Sequence, residues 1–445
     1  AQAFLSRVLT VFICVMGVTI AIVFIAAPAL STLVAPGFSS DSQEKLITLM
    51  RILLLSPFFL GLSGIVGSVT QSLKRFYVYA LSPLFYNLGI IAGILFFYPL
   101  LGLPGLGLGV VLGAFLHLAV QFPLLRSVRV FPTITPRINW REIREIFAVS
   151  LPRTIALSLG QISFVVLNAL ATYMAPGSVT VFNLGFALQA VPLALIGMSY
   201  SVAAFPTLTH LFAEGDRDGF VRQVVTALRH ITFLALPVTV FFLVLRVPIV
   251  QLILGSGRFS ESDAVLTAAV LGLSVLSLFA QSFTLLFTRS YYAAGNTARP
   301  LRVNFLSSLV TIAVAAPLIW LFNGEPLFSE AVERLLGVFG VPGTIVLMLP
   351  LAYSLGTILN ACVLWFVFGR DFGMPFRSLA HTFLESLGAA LVLGFVAHGA
   401  LTFTHSSIAA LLGVGSAFLT LYFLGSRELK ELLQEARRRL PWRRP

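Results

Sequence analysis

Apolar residues in this chain come in long unbroken blocks, separated by short connections rich in Gly, Pro, Ser and Arg. Twelve blocks predict helices, at 9–34, 44–71, 77–99, 104–126, 142–174, 178–211, 218–253, 262–294, 299–322, 341–369, 376–402 and 405–424. About 20 apolar residues cross a bilayer as a helix. The blocks lack the period-two alternation of barrel strands, and the backbone of a spanning segment must satisfy itself internally. The expectation is an all-α polytopic membrane protein with about 12 transmembrane helices. Several blocks exceed a membrane thickness, so bends are expected at Pro57, Pro123, Pro192 and Pro237.

One stretch stands out, at 147–210. It predicts two long apolar helices joined by a tight turn at Pro176 and Gly177. Arg153, Gln161 and Asn168 fall at membrane depth on the first helix, Asn183 and Gln189 on the second. Polar groups are expensive in hydrocarbon unless they are paired. The hairpin therefore faces a partner helix or a wet cavity.

Composition agrees with the pattern: 58% of residues are hydrophobic and 10% charged, which no soluble domain could bury. The net charge of +12 raises nucleic acid as a partner, but its placement answers the question. Of 29 Lys and Arg, 23 lie on one set of alternate connections and ends, including Lys74, Arg75, Arg126, Arg129, Arg289, Arg299, Arg302 and the tail. Lys45, Arg258 and Arg334 lie on the opposite set, with Arg246 near that boundary. This is the positive-inside asymmetry, and it predicts both termini in the cytoplasm with no nucleic-acid role. Cys14 and Cys362 form neither a disulfide framework nor a metal site. No signal-peptide pattern opens the chain, and no catalytic, metal or cofactor motif appears, so no enzyme and no cofactor is expected. The glycines at 102, 105, 107, 109 and 113 follow no strand and lack Gly-Lys-Ser/Thr, so they read as close helix packing rather than a phosphate loop. His117 stands alone in its helix and reads as packed. Glu385 has His381 one turn before it, a pair at a helix end or a proton relay.

The pattern also repeats. Gly37-Phe38-Ser39-Ser40-Asp41 opens one helix and Arg258-Phe259-Ser260-Glu261-Ser262-Asp263 another, 221 residues apart at the Phe. Pro83 with Asn87, and Pro300 with Asn304, recur 217 residues apart. The two asparagines are expected to satisfy backbone groups freed by proline. Such self-similarity suggests two related lobes of like orientation. The expected domains are a truncated first lobe of four helices at 1–127, a cytoplasmic linker at 128–141, a second lobe of six helices at 142–370, an added helix pair at 376–425 and a basic cytoplasmic tail at 426–445. On this alignment the partners of the 147–210 hairpin would precede Ala1, so the chain is expected to lack the first two helices of a fourteen-helix architecture. The tail, SRELKELLQEARRRLPWRR, reads as an amphipathic basic helix on anionic lipid or as a site for a dedicated partner.

Several segments carry a family resemblance: Ala35-Pro36-Gly37-Phe38, LMRILLLSPFFLGLSGIVGSVTQSLKRFYVYALSPLFYNLGII at 49–91, FNLGFALQAVP at 182–192, AAFPTLT at 203–209 and RSYYAAGNTARP at 289–300. In their order and spacing the chain resembles the MurJ (MviN) family of lipid II flippases, within the multidrug/oligosaccharidyl-lipid/polysaccharide exporter superfamily. The resemblance runs over most of 1–425. It implies two six-helix lobes around a central cavity, an added helix pair forming a groove for a polyprenyl tail, and alternating access in the bacterial cytoplasmic membrane. Basic residues are expected to hold the substrate's pyrophosphate, because Arg matches phosphate geometry. The family's cavity arginines on its first two helices have no counterpart here, and a further one falls on Ala187.

The candidate substrate-binding residues are Arg153, Gln161, Asn168, Asn183, Gln189 and Arg51. Arg153 either meets a pyrophosphate or snorkels to headgroups; Arg51 has the same two readings. The four amides either line a cavity for sugar or peptide or act as interhelical hydrogen-bond glue. The resulting expectation is a monomeric flippase for an undecaprenyl-pyrophosphate-linked peptidoglycan precursor. The rivals are an exporter of another polyprenyl-linked oligosaccharide, a cation-coupled drug antiporter, and a membrane scaffold that transports nothing.

Overall fold

Uninterrupted apolar blocks leave a backbone one way to satisfy its polar groups in lipid, and in the computed structural model each block is helical. The structure describes residues 2–72, 76–123, 133–159, 161–257, 259–373, 379–424 and 426–430. Lys74, Arg75, Arg126, Arg129, Arg258, Arg377, the tail beyond 430 and the side chain of Arg153 lie outside the described residues. Contacts divide the chain into two units, Ala1–Ile155 and Ala156–Pro445.

The first unit contains α1 (Gln2–Val34), α2 (Ser40–Leu53), α3 (Leu55–Ser72), α4 (Phe76–Ala92), α5 (Leu103–Ala119) and most of α6 (Trp140–Leu159). Ser39 caps α2, its hydroxyl accepting from the Ser42 N–H. α4 runs on through a π turn at Gly93–Phe97 and a last turn at Tyr98–Leu101. The π turn precedes Pro99, which cannot donate its share of the helical ladder. α4 and α5 cross on glycine. A Cβ on Gly109 would sit 2.5 Å from the Gly93 Cα, Gly89 meets Gly113 in the same way, and Gly105 meets the Phe97 carbonyl. Close packing is therefore the role of Gly105, Gly109 and Gly113, as small-residue interfaces in lipid allow. Gly102 has another role: its φ of +64° terminates α4. The segment after residue 132 is strapped to α1, with the Thr133 and Thr135 N–H groups donating to Ser6 and Thr10 hydroxyls, both at 3.0 Å. Arg7 pairs with Glu142 at 2.7 Å.

His117 is not alone. The Ser63 hydroxyl on α3 lies 2.7 Å from its Nδ1, and Gln121 Nε2 donates to the same hydroxyl and to the His117 carbonyl. Nothing in the apolar pattern of α3 and α5 marks this pairing, because it depends on which helix faces which.

The second unit holds α7 (Ile162–Ala171), α8 (Ser178–Leu193), α9 (Ser199–Ala213), α10 (Arg217–Val244), α11 (Arg246–Leu254), α12 (Glu261–Val275), α13 (Leu278–Ala293), α14 (Ala298–Gly324), α15 (Pro326–Leu336), α16 (Met348–Phe372), α17 (Ala380–Leu401) and α18 (Ser406–Phe423). One core joins α9, α10, α13 and α16 through buried Phe220, Phe287, Tyr291 and Phe368. A second joins α7, α8, α12, α14 and α16 through Leu167, Phe182, Val270 and Met348. The α17–α18 pair packs on α10 through Phe233, Ala389, Leu393 and Ala417, with Gly413 set against Ala397.

Four expected helices are broken, the block at 44–71 among them, which divides at Leu54 into α2 and α3. The block at 142–174 divides into α6 and α7, and 218–253 divides at Leu245. Arg246 holds the break at Leu245, donating to the Leu243 carbonyl at 2.6 Å and to the Leu336 carbonyl at the end of α15 at 3.1 Å. The block at 262–294 bends by 44° between α12 and α13, where Ser274 and Ser277 hydroxyls bond back to carbonyls of their own turn. α15 was not foreseen among the spans. Its half-buried face carries Phe328, Val332 and Leu336, while Leu327 and Leu335 are exposed.

The repeat has a local structural form. Ser260 caps α12 with a reciprocal Asp263 bond, and Ser39 caps α2. Each capped helix then ends after about four turns and a second follows at once, α3 in one case and α13 in the other. Among the described residues nine helices are long and apolar enough to cross a membrane, or ten if α12 and α13 form one bent span. α5 and α7 are shorter apolar helices. The chain is an all-helical, multi-pass membrane protein.

Candidate functional site

The α7–α8 hairpin turns at Gly177, whose φ of +91° explains the glycine. Asn168 donates to the Phe164 carbonyl at 2.9 Å, and its own side-chain oxygen accepts from Asn183 Nδ2 at 2.7 Å. Asn183 also donates to the Val179 carbonyl at 2.8 Å. The two amides thus tie the hairpin together. Gln189, almost two turns along α8, is buried, and its Nε2 finds no protein partner among the described residues. Gln161 is exposed at the α6–α7 break, and Ala187 is exposed on α8. Arg153 lies on α6. In the first unit, Arg51 leans on α1: its Nε donates to the Phe24 carbonyl at 3.3 Å and its guanidinium sits 4.6 Å from the Phe24 ring centroid. The structure therefore brings Asn168 and Asn183 into contact, and gives Gln161, Gln189 and Arg51 separate surroundings.

A polar cavity of about 250 Å³ opens among α7, α13, α14 and α16. Asn360 donates to Asn304 at 3.0 Å and accepts from the Ser307 hydroxyl at 3.1 Å. Gln281 donates to the Ser277 hydroxyl at 2.8 Å, and the Thr284 hydroxyl on the same wall is buried with no partner among the described residues. Asn304 thus bonds across helices to Asn360, which departs from the expected service to a backbone group freed by Pro300. Gln281 and Asn360 escaped the sequence reading, although an amide in the middle of an apolar helix is the same signal that marked Asn168. The lining is uncharged, so it offers donors and acceptors suited to hydroxyl and amide groups.

Two apolar clefts flank α10 and α17. The first, about 740 Å³, is walled by Phe279, Phe283, Trp365 and Phe383. The second, about 750 Å³, lies between α8, α10, α17 and α18 and includes Pro192, Phe233, Phe241, Leu393, Phe418 and Leu429. Both are large enough for part of a long hydrocarbon chain, and the hydroxyls in the first, Thr232 and Thr239, are turned back to carbonyls of α10.

The second cleft ends at a buried ion pair. Glu428, 1% exposed, accepts from Arg229 Nε and Nη2 on α10, the former at 2.9 Å. The Thr382 hydroxyl on α17 donates to the same oxygen at 2.9 Å, and Ser426 donates to the other at 3.2 Å. Burial pushes the Glu428 carboxyl up, but its hydrogen bonds and the Arg229 charge outweigh this and hold it below the ordinary carboxylate range. His381 and Glu385 also meet, at 3.4 Å, in the first turns of α17.

Known proteins place this architecture. A family model described as lipid II flippase MurJ matches residues 1–423. A probable lipid II flippase MurJ of Vibrio cholerae is 24% identical over 384 residues, 81% of this chain and 72% of the relative. The lipid II flippase MurJ of Burkholderia cenocepacia is 24% identical over 82% of this chain and 68% of its own length. Against a probable lipid II flippase MurJ of Rickettsia prowazekii, 23% identical, the match spans 62% of the relative, under two thirds. Among solved structures, a lipid II flippase MurJ in an inward closed conformation superposes with a TM-score of 0.75 at 21% identity, covering 97% of this chain and 85% of that one. An inward-facing multidrug resistance MATE family transporter of the MOP superfamily gives 0.66 at 15% identity, covering 82% and 80%.

Proposed function

The chain belongs to the lipid II flippase MurJ family, a family of transporters rather than enzymes, and on that premise we propose that it moves an undecaprenyl-pyrophosphate-linked peptidoglycan precursor across the bacterial cytoplasmic membrane by alternating access. The match of the family model over 1–423 is the observation that carries this reading. Both termini lie in the cytoplasm, as the Lys and Arg asymmetry requires. The span count is twelve, the shorter apolar helices α5 and α7 joining the ten counted above. The domains follow the boundaries set out from the sequence: four helices to residue 127, a linker to 141, a six-helix lobe at 142–370, the α17–α18 pair at 376–425 and a basic tail that rests on anionic lipid. The protein acts as a monomer.

In this reading the substrate divides between two environments. Arg153 and Arg51 supply positive charge for the pyrophosphate, and Gln161, Asn168, Asn183 and Gln189 supply hydrogen bonds for sugar or peptide. The polar cavity around Asn304 and Asn360 adds to that set. The polyprenyl chain takes the apolar cleft between α8, α10, α17 and α18, where it leaves lipid for a surface of equal polarity. The test is rescue of cells depleted of their own flippase. The chain should restore growth, and the Arg153→Ala/Arg51→Ala double variant should not. Absence of rescue by the unaltered chain overturns the transport reading; full rescue by the double variant overturns the roles given to the arginines.

A further inference from the structure

The end of the α8–α10–α17–α18 cleft has the chemistry of an anion site that is already filled. Arg229 presents Nε and Nη2 side by side, the fork that binds carboxylates and phosphates alike. Thr382 adds a hydroxyl that reaches the same oxygen from α17. The anion they hold is a side chain of the protein itself, from a segment joined to the fold by the short stretch after α18. That segment also walls the cleft at this end: Leu429, next in sequence to Glu428, is 5% exposed and forms part of the lining. Phe233, one turn along α10 from Arg229, begins the apolar lining. One apolar cleft thus runs up to one half-buried guanidinium, and residues 426–430 pack against both.

We propose that Arg229 and Thr382 form a first docking site for the phosphate head of a lipid whose chain lies in this cleft, occupied before that head passes to Arg153 and Arg51, and that Glu428 fills the site in its absence as a competing carboxylate. The inference rests on the reading of the cleft as a polyprenyl groove. Entry of the lipid exchanges one anion for another on Arg229, so the half-buried guanidinium keeps an anionic partner throughout. Displacing Glu428 also withdraws Leu429, one residue of the wall at this end of the cleft. Ser426, which donates to the second Glu428 oxygen, holds the segment in its closed form.

The experiment measures binding to the full chain in nanodiscs with three probes: undecaprenyl pyrophosphate, undecaprenol and inorganic pyrophosphate. Glu428→Gln removes the competing charge but retains an oxygen for Arg229 and Thr382. It should tighten undecaprenyl pyrophosphate about tenfold, leave undecaprenol within about twofold, and leave inorganic pyrophosphate weak. Arg229→Gln should abolish the preference for the phosphorylated lipid over undecaprenol. If undecaprenol fails to bind, or if Ala417→Trp in the cleft wall leaves its binding unchanged, the groove reading fails. If undecaprenol binds and is blocked by Ala417→Trp while Glu428→Gln leaves undecaprenyl pyrophosphate unchanged or weaker, the groove stands and the competition is overturned. A chain ending at residue 425 removes Glu428 by another route and should reproduce the tightening even if Glu428→Gln lowers the melting temperature. Tight binding of inorganic pyrophosphate alone would show a free-anion site and overturn the lipid assignment.

Discussion

Single side chains in this protein are governed by the price of burying them. Asn168 and Asn183 solve the problem on each other. Replacing Asn183 by Leu leaves the Asn168 oxygen without its donor, which should cost about 1 kcal/mol, a typical loss for an interhelical bond in lipid. Glu428 solves it with Arg229, and here pH becomes a lever. Its folded pKa lies below the unfolded value, so its contribution to docking the tail is complete above the ordinary carboxylate range. It is lost as pH falls through the folded value. A nitroxide at Lys430→Cys, in a protein with Cys14 and Cys362 replaced by Ser, should be immobilised at pH 7 and become mobile on acidification to below about pH 4, the range of ordinary carboxylates. In Glu428→Gln that acid transition should be absent, while a transition of equal size would mean that another group holds the tail.

At the scale of elements, one arginine holds two helix ends. Arg246 donates to the last turns of α10 and α15, the second 90 residues further along the chain. Arg246→Ala should lower stability by about 2 kcal/mol, the loss of a charged hydrogen bond at a buried helix end, seen as a lower melting temperature in detergent with the helical signal retained. Most helices were legible in the sequence because each is a block of apolar residues long enough to cross lipid, and that pattern survives without knowledge of neighbours. The break at Leu245 was open to reading, because Pro248 cannot donate to the Val244 carbonyl at the end of α10. The bend between α12 and α13 was not: no proline lies there, and it depends on serine hydroxyls turning back to carbonyls, a choice made locally and within the same composition. α15 was missed because eleven residues with three charges do not resemble a span. The candidate site was half visible: the amides of the hairpin announced themselves by polarity in an apolar run. Gln281 and Asn360 carried that same mark. The Arg229–Glu428 pair could not be read, since its partners stand 199 positions apart and Glu428 sits in a tail whose charge is basic.

For the whole molecule, the placement of positive charge makes a claim that labelling can check. Single cysteines introduced in a background with Cys14 and Cys362 changed to Ser should react with a membrane-impermeant maleimide in intact cells at Lys45→Cys and Arg334→Cys. At Arg137→Cys and Arg222→Cys they should react only after permeabilisation. The reverse pattern would invert the proposed orientation. The crossing of α4 on α5 has a genetic corollary. Gly89, Gly93, Gly105, Gly109 and Gly113 each put a hydrogen where any other residue would put a carbon against facing backbone. An allele that turns one of them into alanine keeps the segment oily, helical and uncharged, and every scale of residue similarity would class it as benign. A Leu-to-Phe exchange on the lipid side of α4 would be classed as larger and do less. In this stretch the severity of an allele follows the distance between two backbones, and its apparent mildness on paper is no guide to its effect.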